Sequence, residues 1–141
     1  MSFGVKDKTR EDTVREFHEA FGHPINSANE AQIKLRAALI VEEANEVFEA
    51  LHELAQAVHQ DTVAPIDVEE VLKELCDLQY VLSGTVVALK EIPDSSFTAA
   101  YNRVHSSNLS KLDENGQPIY NDDGKVMKGP NYTPPDLSDL V

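Results

Sequence analysis

Glu42-Glu43-Ala44-Asn45-Glu46 and Glu74-Leu75-Cys76-Asp77 decide how this chain is read. Both lie in runs with helical periodicity. With about 100° per residue, Ile40, Ala44, Val47, Leu51, Leu54 and Val58 gather along one apolar line of the first run. Val68, Val71, Leu75, Leu78, Leu82, Val86 and Leu89 do so in the second. Glu43 falls about 60° to one side of its line and Glu46 about 120° to the same side; Glu74 and Asp77 repeat those offsets. Each helix therefore offers an i,i+3 carboxylate pair beginning at the edge of its buried face. If the two faces pack together, four carboxylates converge. At neutral pH they repel and lose hydration unless a cation joins them. Hard oxygen ligands suit Mg²⁺, with Mn²⁺ as the alternative. Spacing alone leaves two readings open, a metal site and a solvated acidic flank.

The 141 residues suit one domain, residues 1–141, large enough to bury a core unaided. There is one cysteine, Cys76, so neither a disulfide framework nor a cysteine zinc site is expected. No apolar stretch approaches a bilayer span and the N-terminus has no signal-like core, so the cytoplasm is the expected compartment. Twelve basic against 25 acidic residues give a formal charge of −13. That charge opposes binding to nucleic acid polymers and anionic membranes. It does not oppose a small polyphosphate that arrives with a divalent metal, which inverts the local sign.

Outward from the acidic stretches, the spacing predicts an all-α antiparallel bundle of about four helices. A loose leader covers 1–8. Thr9 and Asp12 form a capping box for a helix from about Arg10 to Phe21 with Val14, Phe17 and Phe21 as its stripe, ended by Gly22 and Pro24. His18 and His23 are candidates for a ligand or base, a surface or cap role being the plainer expectation. Asn29 and Gln32 cap a second helix over about 30–58, with Pro65 beyond it as a breaker. Asp67 and Glu70 cap a third from about Val68 to Lys90, in which Gly84 permits close packing. Asp94 or Ser95 caps a fourth, about 96–106. The helical core thus covers about 9–106, and 107–141 form an irregular arm whose Asp123-Gly124 reads as the turn of a small hairpin. Two long helices leave an apolar side that the short ones cannot cover, so a homodimer or homotetramer is expected. Arg103, Lys111, Lys125 and Lys128, with Asn102, Ser107, Asn108 and Ser110, supply donors suited to phosphate oxygens; offsetting the nearby acidic residues is the plainer use of the lysines.

The chain resembles the MazG-like all-α nucleoside triphosphate pyrophosphatases, a group that includes phosphoribosyl-ATP pyrophosphohydrolase and the dimeric dUTPases. The resemblance rests on the EExxE and ExxD motifs quoted above and on the tail, Asn102-Arg103-Val104-His105-Ser106-Ser107-Asn108-Leu109-Ser110-Lys111 through Tyr132. That tail is similar to the phosphoribosyl-ATP pyrophosphohydrolase branch. The resemblance implies that Glu43, Glu46, Glu74 and Asp77 hold Mg²⁺ and that Glu42 orients or deprotonates the attacking water. Glu42 projects about 160° from its own stripe, an awkward angle for that task. Arg103, Asn108, Lys111 and Lys125 would contact phosphates, Lys111 and Lys125 also stabilising the leaving pyrophosphate. No GxxxxGK[ST] loop is present, so phosphate binding is not of the Walker type. The implied enzyme hydrolyses a nucleoside triphosphate to monophosphate and pyrophosphate, in nucleotide house-cleaning. The alternatives are phosphoribosyl-ATP hydrolysis in histidine biosynthesis and a non-enzymatic helical interaction module.

Overall fold

The structure is a computed structural model that describes residues 7–141. The expected leader therefore lies, up to residue 6, outside the described residues. These contain four helices and no strand: α1 (Arg10–Phe21), α2 (Glu30–His59), α3 (Pro65–Ala88) and α4 (Ser96–Leu109), followed by a 3-10 turn at Ser138–Leu140. Among them no helix is long and apolar enough to cross a membrane. The chain divides into two compact units between Lys90 and Glu91.

In the first unit, side chains set the helix ends. Thr9 and Asp12 exchange bonds, Oγ1 accepting from the Asp12 N–H at 3.1 Å and Oδ2 from the Thr9 N–H at 2.9 Å. Asn29 and Gln32 do the same for α2. Such a box satisfies two amide donors that a helix start leaves orphaned. α3 departs from expectation. Pro65 opens it instead of marking a break before it, since a first-turn proline has no amide to lose. Asp67 still caps, from inside the first turn, accepting from the Ala64 N–H at 2.8 Å. Gly22 closes α1 in the left-handed region at φ 70°.

α2 and α3 form an antiparallel hairpin whose register three contacts fix. Arg36, early in α2, reaches Val81 and Thr85 late in α3. Glu43 meets Glu74 and Asp77 midway. Ala50 and Leu54 share a cavity with Ile66 and Asp67 near the connecting loop. The seam on α2 is Arg36, Ile40, Glu43, Val47, Ala50, Leu54 and Ala57, spaced alternately by four and three residues; on α3 it includes Val71, Glu74, Leu78, Val81, Thr85 and Ala88.

This seam is rotated by about 50° from the apolar lines read in the sequence. Ala44 and Leu51, assigned to the buried stripe, are exposed, as are Val68, Leu75 and Leu82. The physical reason is that each long helix carries two apolar faces. One packs inside the hairpin. The other runs through Val41, Phe48, Leu51 and Val58 on α2, and through Val68, Leu72, Leu75 and Leu82 on α3. The line of greatest hydrophobicity bisects the two. Both uncovered faces lie about 110° from the seam in the same rotational sense. In an antiparallel pair that places them on the same side of the hairpin, as one continuous apolar surface.

α1 packs on α3 through Val14 and His18. His18 is a correction to the expected surface or cap role: it is 2 % exposed, and its Nδ1 lies 2.7 Å from the Pro24 carbonyl oxygen, tying the end of α1 to the following loop. Phe21, expected in the α1 stripe, is exposed; it stacks with Phe17, whose ring meets Tyr80 of α3 edge-on. The loop then docks on the end of α3. The Asn26 amide donates to the Val87 carbonyl, and those of Ser27 and Ala28 to Ala88, satisfying carbonyls that the helix end leaves free.

The second unit is α4 and the arm folded against it. Ser95 precedes α4 in the left-handed region and makes no side-chain cap. Ser107 Oγ donates to the Thr133 carbonyl at 2.7 Å, and the Thr133 amide donates to Ser110 Oγ at 3.0 Å. The Gly129 amide donates to the Lys111 carbonyl at 2.9 Å. Tyr120 and Val126 pair across the expected hairpin, with Gly124 at φ 78° in its turn. Asn121 Oδ1 shapes that turn by accepting from the Asp123 and Lys125 amides.

Candidate metal centre

Glu43 and Glu74 lie in the α2–α3 seam, where a bundle normally buries carbon. Asp77 flanks them one turn further along α3. Each of the three offers an oxygen within 4.8 Å of the others. Glu74 is only 5 % exposed. Removing its solvation is costly unless a positive charge compensates. Glu43 bears the strain of this crowding. Its pKa is raised, first by desolvation and then by the charges of Asp77, Glu42, Glu74 and Glu46. Three carboxylates with a shared focus, one of them buried, fit a hard divalent cation.

Glu46 stands outside that set of three and is exposed, one turn along α2 from Glu43. Glu42 is also exposed. The rotated seam improves its position: it lies about 110° from the packing line, on the Glu46 side, instead of about 160° away. The awkward angle read from the sequence thus came from misplacing the stripe.

Lys73 is the residue that motif reading missed. Its Nζ lies 2.9 Å from Glu74 Oε1 and 3.1 Å from Asp77 Oδ2. Hydrogen bonds to Glu74 and then to Asp77 raise its pKa. The i,i+4 spacing of Lys73 and Asp77 was a legible signal. The contact to Glu74, its neighbour in sequence, required the actual rotamers.

The residues expected on phosphate all belong to the second unit. Arg103 is engaged there. Its two terminal nitrogens fork onto the Asp139 carboxylate, the Nη2–Oδ2 distance being 3.0 Å, and Nη1 also donates to the Asp136 carbonyl. The guanidinium holds the Asp139 carboxyl below its ordinary pKa. Lys111 and Lys125 make no ion pair among the described residues, so the nearby acidic side chains do not neutralise them directly. Asn108 is exposed near the end of α4. Of the tyrosines in this unit, Tyr101 and Tyr120 are exposed, while Tyr132 lies under Lys128, whose Nζ is 4.8 Å from its ring centre.

A family model for phosphoribosyl-ATP pyrophosphohydrolase matches residues 14–108, more than half of the chain. The chain belongs to the phosphoribosyl-ATP pyrophosphohydrolase family. The matched segment holds α2, α3, both acidic motifs and most of α1 and α4. It stops before Lys111 and Lys125. A comparison with curated proteins finds no match.

Proposed function

We propose that this chain is a divalent-metal pyrophosphohydrolase, with phosphoribosyl-ATP as the substrate that the family match favours. The observation that carries the reading is the convergence of Glu43, Glu74 and Asp77 within the α2–α3 seam. Such a cluster is costly for the fold unless it serves a cation. The earlier expectation of a nucleoside triphosphate becomes the second reading, favoured by the EExxE and ExxD spacing. In both readings water adds to a phosphorus of the α–β phosphoanhydride, that P–O bond breaks, and pyrophosphate leaves.

Glu43, Glu74 and Asp77 would hold the ion, Glu46 completing the set from the exposed edge of α2. Mg²⁺ bound there supplies charge neutralisation and acidifies coordinated water. Glu42, exposed on the same flank as Glu46, takes up the proton that the attacking water loses. Lys111 and Lys125, without an ion pair among the described residues, stabilise the charge that builds on the departing pyrophosphate. Asn108 donates to a phosphate oxygen. Arg103 joins them only by giving up Asp139, since one guanidinium fork cannot serve two oxyanions face-on. The uncovered apolar surface of α2 and α3 supports a homodimer.

Pyrophosphate release from phosphoribosyl-ATP and a panel of nucleoside triphosphates, with and without Mg²⁺ and with Glu46→Gln as control, tests the reading. Metal-dependent release from phosphoribosyl-ATP above the other substrates is the expected result. Preference for a triphosphate selects the second reading. No release from any substrate by folded protein in saturating Mg²⁺ or Mn²⁺ would overturn both and favour the interaction module.

A further inference from the structure

Lys73 stands where the cation of the proposed function would have to act. Its ammonium contacts oxygens of two of the three clustered carboxylates, at 2.9 Å and 3.1 Å. Mg²⁺ coordinates carboxylate oxygens at about 2.1 Å. An ion sharing those oxygens with Lys73 would therefore sit within about 5 Å of the ammonium, where two like charges repel. The lysine side chain is 63 % exposed on a flexible four-carbon stem, so it can swing into water without disturbing α3. Glu43 and Glu74 have less such freedom, because both lie in the seam and Glu74 is buried there.

We propose that Lys73 is an internal counter-ion that holds the Glu74–Asp77 pair together until a divalent cation displaces it, and that it thereby weakens metal affinity. This rests on the reading of the carboxylate cluster as a metal centre. The lysine adjoins the ligand set and contributes no ligand of its own. It makes the metal centre tolerant of low cation concentrations and adds a term that screens with salt.

The test is a calorimetric Mg²⁺ titration of the full chain at low ionic strength, together with melting temperatures in chelator and in saturating Mg²⁺. Three proteins are compared: the parent, Lys73→Met and Lys34→Met. Lys34 makes an i,i+4 pair with Glu30 at 2.7 Å, a matched surface pair elsewhere on the hairpin. Lys73→Met should bind Mg²⁺ roughly 3-fold or more tightly, since it removes two ion pairs made by a mostly exposed lysine, one of them to the buried Glu74. It should melt lower than the parent in chelator, and the deficit should close in saturating Mg²⁺. Lys34→Met should bind Mg²⁺ as the parent does. Equal or weaker Mg²⁺ binding by Lys73→Met, with the parent binding normally, overturns this proposal alone. Absence of Mg²⁺ binding by the parent overturns the metal-centre reading and this proposal with it.

Discussion

Arg36 reaches across the helical hairpin to Val81, its Nη2 donating to that carbonyl oxygen at 2.7 Å while Nε donates to Thr85 Oγ1 at 3.1 Å. The guanidinium can lie so close to α3 because Gly84 has no side chain. A Cβ there would fall well inside contact distance of Arg36 Nη2 and would also press on His18 Nε2. Gly84→Ala should therefore destabilise the first unit by about 1–3 kcal/mol, the usual range for overpacking. The gain in helix propensity of up to about 1 kcal/mol offsets part of this. Urea unfolding measures it, and a neutral or stabilising result would show that Arg36 relocates freely.

His18 should make stability depend on pH. Burial lowers its pKa below the ordinary 6.5 most strongly; the Pro24 carbonyl opposes this, and the charges of Arg36, His23 and Arg15 add to the lowering. Well above the unfolded pKa of about 6.5 the ring is neutral in both folded and unfolded chains, and the full stability is present. As pH falls, the unfolded chain takes up a proton first, so stability drops until the folded His18 also protonates. One such group gives a slope no steeper than about 1.4 kcal/mol per pH unit. Unfolding followed from pH 8 to pH 5 should show this loss, and His18→Gln should flatten it.

Glu43→Gln should separate metal binding from folding. The substitution removes one of several crowded charges, so the melting temperature in chelator should rise by a few degrees, as expected for about 1 kcal/mol. The stabilisation by Mg²⁺ should disappear, together with turnover. Thermal unfolding with and without Mg²⁺ reads both effects. A variant that melts lower in chelator would mean that the cluster stabilises the fold by itself.

The apolar surface of the hairpin should hold two copies together. Phe48 and Leu72 are each 62 % exposed on it, one on each helix. Phe48→Glu with Leu72→Glu places charge in this apolar surface and should convert a dimer into monomer in sedimentation equilibrium. Helical content should be kept. A parent protein that sediments as a monomer at micromolar concentration would remove the dimer from the proposal.

Gly129 should be needed for the arm. A Cβ there would come within 2.5 Å of the Leu112 carbonyl oxygen and 2.7 Å of that of Lys111, both backbone atoms with little room to move. Gly129→Ala should break the bond from its amide to Lys111 and loosen residues beyond it. Faster amide exchange confined to the arm, with α2 and α3 unaffected, is the expected readout.

The sequence by itself determined the local structure. Capping boxes at Thr9–Asp12 and Asn29–Gln32, the Gly22 stop, the turn at Asp123-Gly124 and the helical period of the two acidic runs all depend on interactions within a few residues. The repeated offsets of Glu43 and Glu74 also followed from helix geometry alone, which is why their meeting was foreseeable. Tertiary structure alone decided which of two apolar faces each long helix turned inward. A hydrophobic pattern averages over both faces, and only packing against a partner helix separates them. That choice set the rotation that buries Glu74, moves Glu42 toward the flank and leaves Phe48 and Leu72 exposed. The same packing drew His18 inside, because Pro24 offered its ring a carbonyl, and brought Arg36 across Gly84. Such contacts join residues distant in the chain, and no local preference encodes them.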